Sequence, residues 1–184
     1  MPLIRRGLPV ADAFIELAAD QAIPETGAVI LSLERFLAER ARLSVRVAPV
    51  GVRLKNTEAV GAIAAELCHL ALVILEFPKF QDGRAMSQAR LLRERHRFAG
   101  EIRAVGNVLY DQLAFMHRCG FDSFEIADET QARRFAEAIA AISLVYQPAA
   151  DERETAAQSR ARKEERADAP RECAAPCYAA ILAY

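Results

Sequence analysis

No glycine-rich nucleotide fingerprint interrupts this chain. Neither GxGxxG after a strand nor GxxxxGK[ST] occurs, which removes the dinucleotide-binding and P-loop classes. A GxSxG elbow is also missing, so acyl transfer of the α/β-hydrolase kind is not expected. Histidine is scarce: His69, His96 and His117 stand at spacings that match no metal motif. The four cysteines, Cys68, Cys119, Cys173 and Cys177, include no CxxC pair. Zinc-finger, iron–sulfur and paired-thiol redox motifs are therefore absent, and Cys68 and Cys119 read as buried, reduced thiols. No metal site is expected, and no cofactor is identified. Apolar runs stay well short of the roughly 18 residues that span a bilayer. The start reaches Asp12 without a long apolar core, unlike a signal peptide. Neither sign of charge is in excess, the net being -1, so no general attraction to nucleic acid or to a membrane surface is expected. These absences describe a protein of the reducing cytoplasm.

What is present is a covered α/β fold. With 184 residues, 53% of them hydrophobic, one domain with a real core is expected. Residues 1–22 read as a peripheral arm, with Val10-Ala11-Asp12 able to start a short helix. Residues 23–147 form the α/β domain. A strand over Ala28 to Leu33 leads into a helix from Glu34 to Leu43, and a second strand covers Val50 to Leu54. Val60, Ile63, Ala64, Leu67 and Leu70 recur at helical spacing after a Thr57 cap. Ala71 to Phe77 is a continuous apolar run, as in a strand covered on both faces. A helix from about Ser87 follows, with Ala89, Leu91 and Leu92 inward and Arg90, Arg93, Glu94 and Arg97 outward. Then come a strand over Glu101 to Val105, a helix over Leu109 to Arg118 stopped by Gly120, and a strand at Phe124 to Ile126. A last helix runs from Asp128 or Thr130 to about Tyr146. The repeated βα units predict a mostly parallel sheet, either open and doubly wound or a partial barrel. Residues 148–184 form a charged tail, disordered or a solvated helix over 151–168, with an apolar, cysteine-containing end.

Ligands of such sheets bind beyond the C-terminal ends of the strands. That edge collects Lys55, Asn56, Glu76, Lys79, Asp82, Arg84, Asn107, Asp111 and Asp128, which serve equally well as caps and turn residues. Asp82 and Asp111 are the acid/base candidates. Arg103 stands inside an apolar strand, where a charge needs a partner; Glu101 shares its face, and Asp82 or Glu76 are further candidates. Arginine's planar fork suits a small oxyanion or an acidic partner surface.

The run FPKFQDGRAMSQARLLRERHRFAGEIRAVGNVLYDQLAFMHRCGFDSFE resembles the domain of unknown function 934 family, over roughly residues 10 to 147. Members are commonly labelled as oxidoreductases of sulfite reduction. The resemblance implies an accessory role beside assimilatory sulfite reductase, in the route from sulfate to cysteine. Family-pattern residues include Phe77, Pro78, Phe80, Asp82, Gly83, Arg84, Ser87, Arg90, Arg103, Gly106, Asp111, Gln112, Arg118, Cys119, Gly120 and Phe121. Asn107 replaces a usual aspartate, which speaks against an acid/base role there. By this route Lys79, Asp82, Arg84, Arg103, Asn107, Gln112 and Arg118 become the candidate binding residues, and Cys119 joins Asp82 and Asp111 as a candidate catalytic group. The expected partners are a small anion, sulfite reductase or an acidic redox protein. An oxidoreductase with an unidentified cofactor and a purely structural assembly partner are the alternatives.

Overall fold

The computed structural model describes residues 2–126, 134–135, 137–139, 144–151 and 153–168. Eight strands form one sheet: β1 (Leu3–Arg5), β2 (Leu8–Val10), β3 (Phe14–Glu16), β4 (Ala28–Ser32), β5 (Val50–Leu54), β6 (Leu72–Phe77), β7 (Glu101–Gly106) and β8 (Ser123–Glu125). Their order is β2-β1-β8-β7-β6-β5-β4-β3. From β3 to β8 every pair is parallel, while β1 runs antiparallel to both β8 and β2. Each parallel strand lies beside the next one in sequence, so the order never reverses. Right-handed crossovers that always step the same way put every connection on one face. The sheet is thus singly wound, and of the two expected forms the partial barrel is the one found: the sheet curves into a half-barrel.

Chain length makes the curvature necessary. The edge strands β2 and β3 are joined by residues 11–13 alone. Four Cα steps from Val10 to Phe14 reach about 14 Å, whereas the edges of a flat eight-stranded sheet lie about 34 Å apart. The edges must curl toward each other, and residues 11–13 bridge the mouth.

The outer face carries the main core. Val29, Leu31, Val52, Leu54, Val73, Leu75, Phe77, Ile102 and Ala104 alternate outward along β4–β7 and pack under the connections. Those connections are α1 (Leu33–Leu43), α2 (Arg84–Arg90) and α3 (Leu113–Arg118), with Phe36, Ala85, Ala89, Leu92, Leu113 and Met116 turned in. Ser32 caps α1 by accepting from Arg35 N at 3.4 Å. The inner face holds a smaller apolar patch of Ile30, Leu72, Ile74 and Val105 with Phe14 against it. Burial on both faces explains the unbroken apolar run of β6.

Five expectations are corrected. The first 22 residues are not peripheral, since they supply three strands and bury Leu3 and Ile4; strands of three residues are too short to show a period. Between β5 and β6 the helical spacing is met by two 3-10 turns, Val60–Ile63 and Leu67–His69. They still bury Val60, Ile63, Leu67 and Leu70, while Cys68 is exposed. Leu91 points out at 43% exposure, because Ala85, Gln88, Ala89 and Leu92 already fill the inward stripe. Arg93 points in. A π-helical turn over Leu91–Arg95 extends α2 and turns this guanidinium beneath it. Nε donates to Gly120 O (3.1 Å), Nη1 to Phe98 O (2.5 Å) and Gly100 O (2.8 Å), and Nη2 to Asp122 (2.5 Å). Gly120, at φ 105, leaves room for it; a Cβ there would stand 2.5 Å from Arg93 Cγ.

The expected start of the last helix, at Asp128 or Thr130, lies outside the described residues. Beyond it the chain stays attached. Arg118 binds Asp151 (3.1 Å) and Gln147 O (2.6 Å), and Val145 bridges Thr155. Of the two readings of 151–168, the solvated helix is found over Ala156–Asp168, here α4. Thr155 and Gln158 cap it reciprocally, at 3.3 Å and 2.8 Å. Cys173 and Cys177 lie outside the described residues.

Candidate functional site

At the C-terminal edge of β5, β6 and β7 the loops form a hydrogen-bonded rim. Asp82 is its knot: both carboxylate oxygens accept from Arg84 Nε (2.9 and 3.2 Å), Oδ2 from Arg84 Nη2 (2.6 Å), and Oδ2 also from Asn56 Nδ2 (2.6 Å). The Arg84 hydrogen bond outweighs desolvation and holds the Asp82 carboxyl well below its usual value, at about 2. Asp82 is therefore a carboxylate throughout the neutral range, and the same pair raises the pKa of Arg84. A group so firmly ionised is poorly matched to moving protons near neutral pH.

Two glutamines brace the rim from below. Gln88, 6% exposed, donates to Lys55 O (2.9 Å) and Glu58 O (2.7 Å). Gln112 donates to Phe80 O at 3.0 Å, joining the 78–83 loop to the 3-10 turn Tyr110–Gln112. Asn107 N donates to Phe77 O at 2.8 Å, a contact that needs Gly106: at φ 95, a Cβ there would sit 2.5 Å from that same carbonyl. On this braced loop system Lys55, Lys79, Asn107 and Asp111 project into solvent, beside Phe80 (45% exposed) and Leu109 (37%).

Of the residues expected at the site, Lys79, Asp82, Arg84, Asn107, Asp111 and Gln112 are brought together. Arg103 and Arg118 are not. Arg118 ends α3 at the opposite end of the sheet, where Asp122 N donates to Ile102 O (2.9 Å) at the start of β7. Cys119, next to it, is buried, and burial pushes its thiol pKa up more than Arg90 and Arg118 pull it down. A thiol kept protonated is a weak nucleophile. Iodoacetamide should therefore label Cys68 in the native protein and reach Cys119 only on unfolding, read by peptide mass. Equal labelling rates would contradict this.

Arg103 lies inside the half-barrel, 4% exposed. It pairs with Glu101 (Nη2, 3.1 Å) and with Asp12 (Nη1, 2.6 Å; Nη2, 3.2 Å), and its Cζ stands 5.8 Å from the centroid of the Phe14 ring. Glu101 also accepts from Ser123 Oγ (2.6 Å) and pairs with Arg5 (3.5 Å). Glu76, one of the partners expected for Arg103, is engaged instead by Arg53 (3.2 Å), which also holds Glu16 (2.7 Å). Sequence reasoning missed Asp12, Glu16, Arg53 and Arg5. The signal available was the charge at alternate positions of otherwise apolar strands, Arg53 in β5 and Glu101 and Arg103 in β7.

A family model described as "Bacterial protein of unknown function (DUF934)" matches residues 51–157, more than half of the chain. The chain belongs to the DUF934 family. No curated protein matches it. The DUF934 match starts in β5, later than the residue 10 expected, and ends at the first turn of α4. It takes in the whole rim, both interior arginines, Glu76 and Glu101, and leaves out Asp12 and the strand that carries Glu16.

Proposed function

We propose that this DUF934 protein is a docking accessory of assimilatory sulfite reduction. Its strand-end rim receives an acidic partner, either sulfite reductase or an electron-carrying protein that serves it. The observation that carries docking over catalysis is the state of the rim itself. Its central carboxylate is spent on Arg84 and Asn56, and its loops are braced by Gln88 and Gln112. What remains outward is a rigid set of contact groups: Phe80 and Leu109 flanked by Lys55, Lys79 and Arg84. Aromatic side chains and arginine on preorganised backbone are the usual anchors of protein interfaces, and exposed lysines at the edge steer an acidic surface into register. Assignment to sulfite reduction rests on the resemblance carried by the FPKFQDGR, ARLLRER, RAVGN and RCGFD segments.

The test is direct binding of purified sulfite reductase. Lys79→Glu and Phe80→Ala are each expected to weaken association by about tenfold or more with unchanged melting temperatures. Unaltered affinity in both variants would remove the rim from the interface. No association with sulfite reductase by the unmodified protein would remove the pathway assignment.

A further inference from the structure

We propose that the interior of the half-barrel is a binding site for a small oxyanion centred on Arg103, closed in this structure by the chain's own Asp12. The site is separate from the rim and does not depend on what docks there.

The arrangement of charge points to it. In register across the sheet, Arg53, Ile74, Arg103 and Ser123 form one row on β5 to β8, and all face inward. Each of the two arginines holds two carboxylates, one from β6 or β7 and one from the first 22 residues. Arg53 has Glu76 and Glu16; Arg103 has Glu101 and Asp12. Arg53, Glu76, Glu101 and Arg103 all fall within the family match, whereas Asp12 and Glu16 precede it. Asp12 presents its two oxygens to two guanidinium nitrogens of Arg103. That is the fork geometry by which arginine takes carboxylates and other oxyanions. In addition, Arg53 keeps its Nε–H buried without an acceptor, leaving a donor unused in the same row.

The segment that supplies Asp12 is a short bridge between two edge strands, in which Asp12 Oδ1 also accepts from Phe14 N (3.0 Å). Residues 11–13 form no strand, and β2 and β3 on either side pair along one edge each. Leu8, Val10 and Ile15 are exposed. The Asp12 side chain is 40% exposed against 5% for Arg103, so water reaches the carboxylate side of the pair. An entering anion replaces one negative charge with another and leaves the balance around Arg103 unchanged. The size of the carboxylate that now fills the place limits the ligand to a group such as sulfite, sulfate or a small carboxylate.

The probe is inorganic sulfite, titrated at constant ionic strength into the full-length chain. A ligand that must displace an internal competitor binds with an affinity reduced by the closed fraction. Asp12→Asn, which keeps the shape of the side chain and removes its charge, is expected to bind sulfite about tenfold more tightly than the unmodified protein. Asp12→Ala is measured alongside, so that poor folding of either variant leaves the other. The gain should vanish when Arg103→Lys is added to the better-folded of the two. Amide exchange over residues 10–16 should quicken in the unmodified protein at saturating sulfite, while that of β7 stays unchanged. Absence of any gain in both Asp12 variants would overturn the proposal and leave Asp12 a structural partner of Arg103. A gain that persists with Arg103→Lys would overturn it as well.

Discussion

Arg93→Ala is expected to lower stability by about 2–3 kcal/mol, the scale expected when part-buried carbonyls lose a charged donor. The guanidinium ties together three pieces of chain: the end of α2, the approach to β7 at Phe98 and Gly100, and the turn from α3 to β8 at Gly120 and Asp122. Removing it strands three carbonyls and frees a carboxylate that also accepts from Ile102 N at 2.8 Å. Arg93→Lys should recover only part of the loss, because a single ammonium cannot reproduce the fork. Urea denaturation measures both variants. A midpoint shift in Arg93→Ala no larger than that of an exposed control such as Arg95→Ala would contradict this role.

Arg103→Ala is expected to cost about 3 kcal/mol, because it leaves Glu101 in a largely buried setting with the half-exposed Arg5 and Ser123 as its remaining partners. The cost should shrink when Glu101→Gln is already present, since the second change removes the charge that the first one orphans. A denaturation double-mutant cycle reads this coupling directly. Additive effects would mean that the pair acts as two independent residues.

The strands β4 to β7 were legible in the sequence because each is a five- or six-residue, largely apolar segment closed by turn residues, and α1 because Glu34 to Leu43 is rich in Ala, Leu, Glu and Arg. The rim was legible for a topological reason: ligand-facing loops follow the C-terminal ends of parallel strands. Lys79, Asp82, Arg84, Asn107 and Asp111 follow from that rule, whereas Gln112 came from the family resemblance. Other features were hidden for physical causes. Arg93 counts as outward on a regular helix, and the π-helical turn that brings it inward has no sequence signature of its own. Asp12 meets Arg103 across 91 positions, through a strand order that local pattern does not encode. The same limit applies to β1, which joins β8 as its antiparallel neighbour although the two lie at opposite ends of the domain's sequence. The choice between a doubly wound sheet and a barrel turned on the direction of each crossover, and the spacing of the βα units is the same for both.

The location of the docking surface is tested most directly by amide exchange in the presence of saturating, purified sulfite reductase. Slower exchange over residues 77–84 and 106–112, with residues 90–100 at the other end of the sheet unaffected, is the predicted footprint. Protection confined to the 90–100 region or to α4, with the rim unchanged in the bound state, would contradict the account.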